Sequence, residues 1–304
     1  MKLYIAIIII SLIWSAQSYS QCGCSGAPIG GAAPLAGTAG LSTQGKGKIY
    51  AMTYFRFSYG DTYFSADVRQ SEGYINNMSS SYLGLLVSYG IFRDLSLEAE
   101  AGYFIRKNQV IADYDYWTSG LSHLGLSAKY NIYSDISSKF HVFTGLGLRA
   151  PLNNFSKETD NTSPQHLKTS SGAFGVNASF MMNKGFTGTD FNLFLTGRYE
   201  YNTENYNKYR YGNTLFASLS GSKKIFSGLS GFMELRNEYR MTDTDKGIKG
   251  DSTGSYNLLI VPALGYKSGI WNLSAGVEIP LYKYFKGSQL SNSYGANLML
   301  FVII

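Results

Sequence analysis

Along much of this chain, successive side chains alternate between apolar and polar. From Leu95 to Arg106, LSLEAEAGYFIR, the odd positions are Leu95, Leu97, Ala99, Ala101, Tyr103 and Ile105, and the even positions are Ser96, Glu98, Glu100, Gly102, Phe104 and Arg106. Side chains on a strand point to opposite faces in turn, so one face here is apolar and the other carries charge. The pattern restarts about twelve times in segments of about ten residues, the signature of a transmembrane β-barrel with lipid outside and a polar lumen.

Strands are predicted at 48–60, 79–92, 95–107, 118–133, 139–151, 170–183, 189–203, 211–223, 228–241, 254–267, 269–283 and 292–304. The connectors alternate between long (61–78, 108–117, 152–169, 204–210, 242–253, 284–291) and short (93–94, 134–138, 184–188, 224–227, 268). Outer-membrane barrels have short periplasmic turns and longer extracellular loops. The reading is therefore all-β: an up-and-down antiparallel barrel of about 12 strands over 48–304, monomeric, with both ends in the periplasm. A soluble sandwich or lipocalin-type barrel would also alternate. Two features speak against it. The apolar faces end in aromatics (Tyr103 and Trp117 at one end, Tyr130, Phe140, Phe191 and Trp271 at the other), and the strands exceed the five or six residues usual in soluble sheets.

Composition agrees. Only 15% of residues are charged, against about 25% in a soluble domain. The 25 tyrosines suit a membrane interface, where one end of the ring is wet and the other apolar. The net charge of +6 is scattered rather than clustered, which excludes a nucleic-acid footprint and points instead to anionic lipid or solutes.

The opening MKLYIAIIIISLIWSAQSYS has a charged Lys2, an apolar stretch from Leu3 to Trp14, and small residues Ser18 and Ser20 before Gln21. It reads as a signal peptide over 1–20; a dozen apolar residues is too short for a membrane anchor. Residues 21–47 form a Gly/Ala-rich periplasmic tail or partial plug.

In a barrel, chemistry belongs to the lumen and the loops. The predicted inward charged set is Arg56, Glu98, Glu100, Arg106, Lys129, Arg149, Arg198, Glu200, Glu234, Arg236, Glu238 and Arg240, joined by His123, His141, Lys267 and Glu278. Glu234, Arg236, Glu238 and Arg240 stack alternating charges up one strand, and Glu98 is expected opposite Lys129 within a step of two. Such residues fill a narrow barrel by pairing, or filter solutes electrostatically in a water-filled pore. The inward aromatics Tyr54, Phe104, Phe143, Phe194, Phe216 and Phe232 predict a constricted lumen suited to a partly apolar solute.

Three other chemistries have candidate residues in the chain. Cys22 and Cys24, in Gln-Cys-Gly-Cys-Ser-Gly, are too few for a tetrahedral zinc site but suit a soft metal such as Cu(I); the rivals are a disulfide and a lipidated cysteine. No other cofactor is expected. A lipid hydrolase of the outer rim needs a histidine beside a serine. Among His123, His141 and His166, His123 follows Ser122, but adjacent positions on a strand face opposite ways. Asp243, Asp245 and Asp251 make one loop acidic enough to attract Ca²⁺, without the spacing or terminal Glu of a calcium loop. No enzymatic activity is predicted.

The final hairpin, SAGVEIPLYKYFKGSQLSNSYGANLML, carries a strand ending in Pro-Leu-Tyr that leads through Gly-x-Gln-Leu into the last strand. Through Pro280, Tyr282, Gly287, Gln289 and Leu290 it resembles a broad set of Gram-negative outer-membrane barrels of transporter type, among them the group named for the MetA pathway of phenol degradation. The Cys-Gly-Cys-Ser opening before a Gly-rich tail is similar to some members. The resemblance implies an outer-membrane channel or transporter for a small solute and assigns no catalytic residue. The expected partners are outer-membrane lipid and lipopolysaccharide, the barrel-assembly machinery and the solute itself.

Overall fold

The computed structural model describes residues 43, 45–71, 73–152 and 167–304. The signal peptide at 1–20, most of the tail with Cys22 and Cys24, and His166 lie outside the described residues. Within them the chain forms β1 (Ile49–Gly60), β2 (Thr62–Ala66), β3 (Val68–Gln70), β4 (Ile75–Phe92), β5 (Leu95–Ile111), β6 (Tyr114–Asp135), β7 (Phe140–Pro151), β8 (Gly175–Phe186), β9 (Phe191–Asn202), β10 (Tyr209–Arg210), β11 (Thr214–Phe226), β12 (Leu229–Arg240), β13 (Thr244–Asp245), β14 (Ile248–Lys249), β15 (Ser255–Ser268), β16 (Trp271–Ser291) and β17 (Tyr294–Ile303). No helix among the described residues is long and apolar enough to cross a membrane.

The long strands pair antiparallel with their neighbours in chain order, and β17 returns to β1, with Tyr50 opposite Ile303 and Tyr59 opposite Tyr294. The result is a closed barrel of twelve strands, which leaves no open edge in the wall. The short strands decorate the long-loop end. β2 and β3 extend the tall β16, while β10, β13 and β14 form a separate small sheet.

Alternation places the two faces as the residues require. On β4, Leu83, Leu85, Val87 and Tyr89 stand on the exposed face, while Tyr82 and Ser88 are buried inside. Tyr103, Trp117, Tyr130 and Trp271 are exposed at the ends of the apolar belt, as an aromatic girdle requires. At the short-turn end, Gly228 and Gly269 take positive φ (83° and 58°) in two-residue turns, a conformation that a side chain disfavours.

Two of the β-bulges, both between β5 and β6, change which residues face the lumen. Between the pairs Phe104–Gly120 and Lys107–Thr118, β5 carries two residues against one on β6, so Ile105 and Arg106 both face outward and Lys107 turns in. Arg106 is therefore not a lumen residue: it pairs with Asp115 and lies 5.7 Å from the Trp117 ring on the outer surface. Between Ala101–Leu124 and Tyr103–Leu121 the extra residue sits on β6, and Ser122 and His123 are buried side by side. A bulge inserts one unpaired residue and re-aims its neighbours.

Three loops are shorter than expected because strands run on. The β5–β6 turn is only Ala112 and Asp113, β4 begins at Ile75, and β16 reaches Ser291. Conversely β8 begins at Gly175, and the residues before it, Leu167 to Ala173, are almost wholly buried.

Candidate functional site

The lumen holds two charged clusters on opposite halves of the wall. The first spans β1, β12 and β16. Arg56 gives Nε (3.0 Å) and Nη2 (2.6 Å) to Glu278, and Arg236 gives Nη1 to the other Glu278 oxygen at 3.0 Å. Arg236 also gives Nε and Nη2 to Glu234 at 3.1 and 2.9 Å. Glu238 is held more loosely, 3.4 Å from Arg56 Nη2 and 3.8 Å from Arg236 Nη1. Two arginines thus face three carboxylates. The stacked charges expected on the Glu234–Arg240 strand are present, and Arg240 ends the stack with its Nη2 2.8 Å from each Asp243 carboxylate oxygen.

The second cluster spans β5, β6, β7 and β9. Arg149 is paired with Glu200 and Asn202. Arg198 lies between Glu200 (3.6 Å) and Glu100 (3.9 Å), and Tyr54 donates its hydroxyl to Glu100 at 3.1 Å. Lys129 meets Glu98 at 2.7 Å, although it stands directly opposite Ser96; the pair closes diagonally, one step of two away from facing register. Of the inward aromatics, Tyr54 and Phe104 are buried in one group with Tyr82, and Phe143 and Phe194 in another with Met181; Phe216 is buried as well, while Phe232 is half-buried.

Sequence reasoning missed the segment from Leu167 to Ala173. Lys107 donates Nζ to the Lys168 carbonyl at 3.1 Å, and Asn205 donates Nδ2 to the Ser171 carbonyl at 3.2 Å. This stretch folds inward at the outer mouth, against the inner side of the β5–β6 hairpin. Its Leu-Lys-Thr-Ser-Ser carries no signal that separates a loop turned inward from one turned out. Beside it, Asp243 organises the loops, accepting from Tyr209 Oη (2.5 Å) and the Gly212 amide (2.7 Å). Burial, and then the Asp243 carboxylate, push the Tyr209 phenol well above its usual range.

The hydrolase and calcium readings find little support in the geometry of the described residues, while Cys22 and Cys24 lie outside them. The bulge brings Ser122 Oγ to 3.1 Å from His123 Nδ1, contrary to the expectation of opposite faces, and leaves His123 Nε2 at 3.7 Å from Glu100. Both Ser122 and His123 are only 2% exposed, so the hydroxyl has no approach for an acyl substrate. His141 bonds Ser134 at 2.7 Å near the short-turn end and stacks on Phe143. Asp243 is committed to Arg240 and Tyr209, and no group of three or more His, Cys, Asp or Glu suited to a metal occurs among the described residues.

Three of the residues behind the C-terminal resemblance, Gly287, Gln289 and Leu290, are architectural. Gly287 has a φ of 73° and faces the Asp251 carbonyl at a distance that leaves no room for a side chain. Gln289 gives its amide to the carbonyls of Gly254 (3.0 Å) and Lys286 (2.8 Å), and Leu290 is fully buried against Tyr63, Ile75 and Met78. The motif ties the tall end of β16 to the loop before β15.

The sequence pattern of the family described as "Putative MetA-pathway of phenol degradation" matches residues 84–294. The COG4313 outer membrane channel from Pseudomonas putida F1 superposes with a TM-score of 0.72 at 14% identity, covering 88% of this chain and 99% of that one. The KdgM porin matches with a TM-score of 0.45 at 13% identity, covering 83% of this chain and 98% of its own. The beta domain of the Bordetella autotransporter BrkA matches with a TM-score of 0.48 at 13% identity, covering 84% and 99%. No curated protein sequence matches the chain.

Proposed function

The chain belongs to the MetA-pathway-of-phenol-degradation family and forms an outer-membrane β-barrel, and from its interior we propose a passive channel that admits a small polar solute through a constricted, charge-lined lumen. The observation that carries this reading is the pair of long ion contacts that reach between strands four places apart in the ring. These are Arg56 to Glu238 at 3.4 Å and Arg198 to Glu100 at 3.9 Å. Carboxylates and guanidinium groups taken out of bulk water are costly, so a lumen that keeps several of them at loose distances suits a hydrated path better than a dry filler. The inward Leu167–Ala173 segment narrows the outer mouth of that path. The similar P. putida structure is that of an outer membrane channel, which supports the same reading.

Planar-bilayer recording of the purified protein in KCl tests it, with and without residues 21–47, because a Gly/Ala-rich tail is suited to occupying the lumen. Small discrete conductance steps are expected. Silence from both forms in folded, inserted protein would refute the channel.

A further inference from the structure

We propose that Glu238, Phe216 and Arg198 form one recognition row for a dipolar organic solute. Its cationic group would sit on Glu238, its apolar body along Phe216 and its anionic group on Arg198. The proposal rests on the channel reading above and adds the class of solute.

Register puts the three residues in one line. Arg198 on β9 stands opposite Phe216 on β11, and Phe216 stands opposite Glu238 on β12. Adjacent strands are about 4.8 Å apart, so the row places an acid and a base about 10 Å apart at the backbone with an aromatic ring between them. All three side chains point into the lumen.

The charge balance singles out the two ends. Arg56 and Arg236 are each held by Glu278, and Arg236 doubly by Glu234, at 2.6 to 3.1 Å. Those contacts satisfy two positive charges with two negative ones and leave Glu238 as the surplus carboxylate. It is also the most open of the three, with its side chain 18% exposed against 3% for Glu234 and 5% for Glu278. On the other side, Arg149 is committed to Glu200 and Asn202. Arg198 touches no carboxylate within hydrogen-bond distance, keeps a buried Nε without a partner, and is 16% exposed. A group carrying charge into a narrow lumen loses water and needs a fixed counter-charge to offset the loss. Only a solute with both signs satisfies both ends of this row, and the Phe216 ring contributes apolar contact and a π face between them.

The test uses the full-length protein and three probes that share one aromatic body: L-phenylalanine with both charges, phenethylamine with the positive charge alone, and 3-phenylpropionate with the negative charge alone. Binding is read by calorimetry in detergent, and permeation by block of the KCl current in planar bilayers. L-Phenylalanine is expected to bind about tenfold more tightly than either single-charge probe, the worth of one extra charge-assisted contact. Glu238→Gln should abolish the response to phenethylamine and spare that to 3-phenylpropionate; Arg198→Gln should do the reverse. Should either variant fail to fold, the comparison of probes on the unmodified protein still decides. Equal binding of all three probes, or none, overturns the recognition row even when KCl conductance is normal. Discrimination without conductance would retain the row and overturn the channel.

Discussion

The hydroxyl of Tyr82 occupies the space over Gly102 in which a side chain would stand. In the same row and one strand away, the ring of Tyr54 covers Gly84 in the same way, and Gly84 and Gly102 are direct cross-strand partners. The two tyrosines thereby lie along the wall, with Tyr82 packed edge-on against Phe104 at 5.0 Å. This is how a barrel with large inward aromatics keeps space at its centre. Gly84→Ala and Gly102→Ala should each destabilise the barrel by about 1–3 kcal/mol, the usual cost of overpacking. Urea midpoints for folding into lipid vesicles measure this. Because the atom nearest Gly102 is the Tyr82 oxygen, Tyr82→Phe should partly rescue Gly102→Ala and should leave Gly84→Ala unchanged. Additive effects at both sites would show that the close approach is not the cause.

Arg236 is the hub of the first cluster, and its side chain is almost wholly buried between Glu234 and Glu278. Arg236→Gln leaves three carboxylates, those of Glu234, Glu238 and Glu278, to the single guanidinium of Arg56. Breaking a buried pair by removing one partner costs about 3–5 kcal/mol. The expected loss is toward the lower end, because lumen water relieves part of it, and it should shrink in 1 M salt. Restoration by the double change Arg236→Gln with Glu234→Gln, which removes one surplus charge, would identify charge as the cause; no restoration would point to packing.

How much of this was legible depends on the scale considered. Alternation in segments such as Leu95–Arg106 specified strand number, faces and closure, because a slip of one residue would turn every charge toward lipid. The inward set followed from the same parity, and Arg56, Glu234, Arg236 and Glu278 do meet inside. Parity fails at a bulge. Ile105 is an ordinary strand residue, yet one extra position there carries Arg106 to the outer surface and brings in Lys107 and Gln109. The same effect joins Ser122 to His123. Pairings across the lumen, such as Arg56 with Glu238, depend on barrel curvature and on which long side chain leans where, and neither is written in local pattern. The inward course of Leu167–Ala173 depends on two side-chain bonds, from Lys107 and Asn205, to its carbonyls.

The corrected position of Arg106 makes a prediction of its own. Its ion pair with Asp115 lies on the outer surface, half exposed, while Glu100 lies inside, bonded to Tyr54. Arg106→Gln should leave single-channel conductance and ion selectivity unchanged. Glu100→Gln should shift the zero-current potential in a KCl gradient away from cations, since a lumen carboxylate favours them. An equal shift from both would return Arg106 to the lumen.

At the short-turn end, Asp135 accepts the Ser137 hydroxyl at 2.5 Å and the Ser137 and Ser138 amides at 3.0 and 3.3 Å. The Ser137 and then the Ser138 hydrogen bonds hold its carboxyl down to about 2, against an ordinary value of 3.8. A depressed carboxylate contributes stability that is present above the ordinary value and is lost as pH falls from there toward about 2. The expected outcome is a carboxyl resonance of Asp135 titrating near 2 in micelles, and moving back toward 3.8 in Ser137→Ala. An unshifted titration in that variant would mean that the hydroxyl is not the main cause.

Asn205 offers a way to loosen the outer mouth without unfolding the loop that carries it. Its Oδ1 accepts the amides of Asn207 and Tyr209 at 3.0 and 3.1 Å and so shapes the turn, while its Nδ2 donates to the Ser171 carbonyl at 3.2 Å and holds the inward segment. Asn205→Asp keeps the acceptor and replaces the donor with an oxygen that repels the carbonyl. The turn is therefore retained and the segment from Leu167 to Ala173 is released on that side. If this segment narrows the path, Asn205→Asp should raise single-channel conductance, by about twofold if the mouth is the main resistance, and should increase open-channel noise. Asn205→Ala should do the same but with a lower thermal midpoint, because it also removes the turn's acceptor. Unchanged conductance in Asn205→Asp, with hydrogen exchange showing that Ser171–Ala173 has become unprotected, would move the constriction from the mouth to the charged clusters below it.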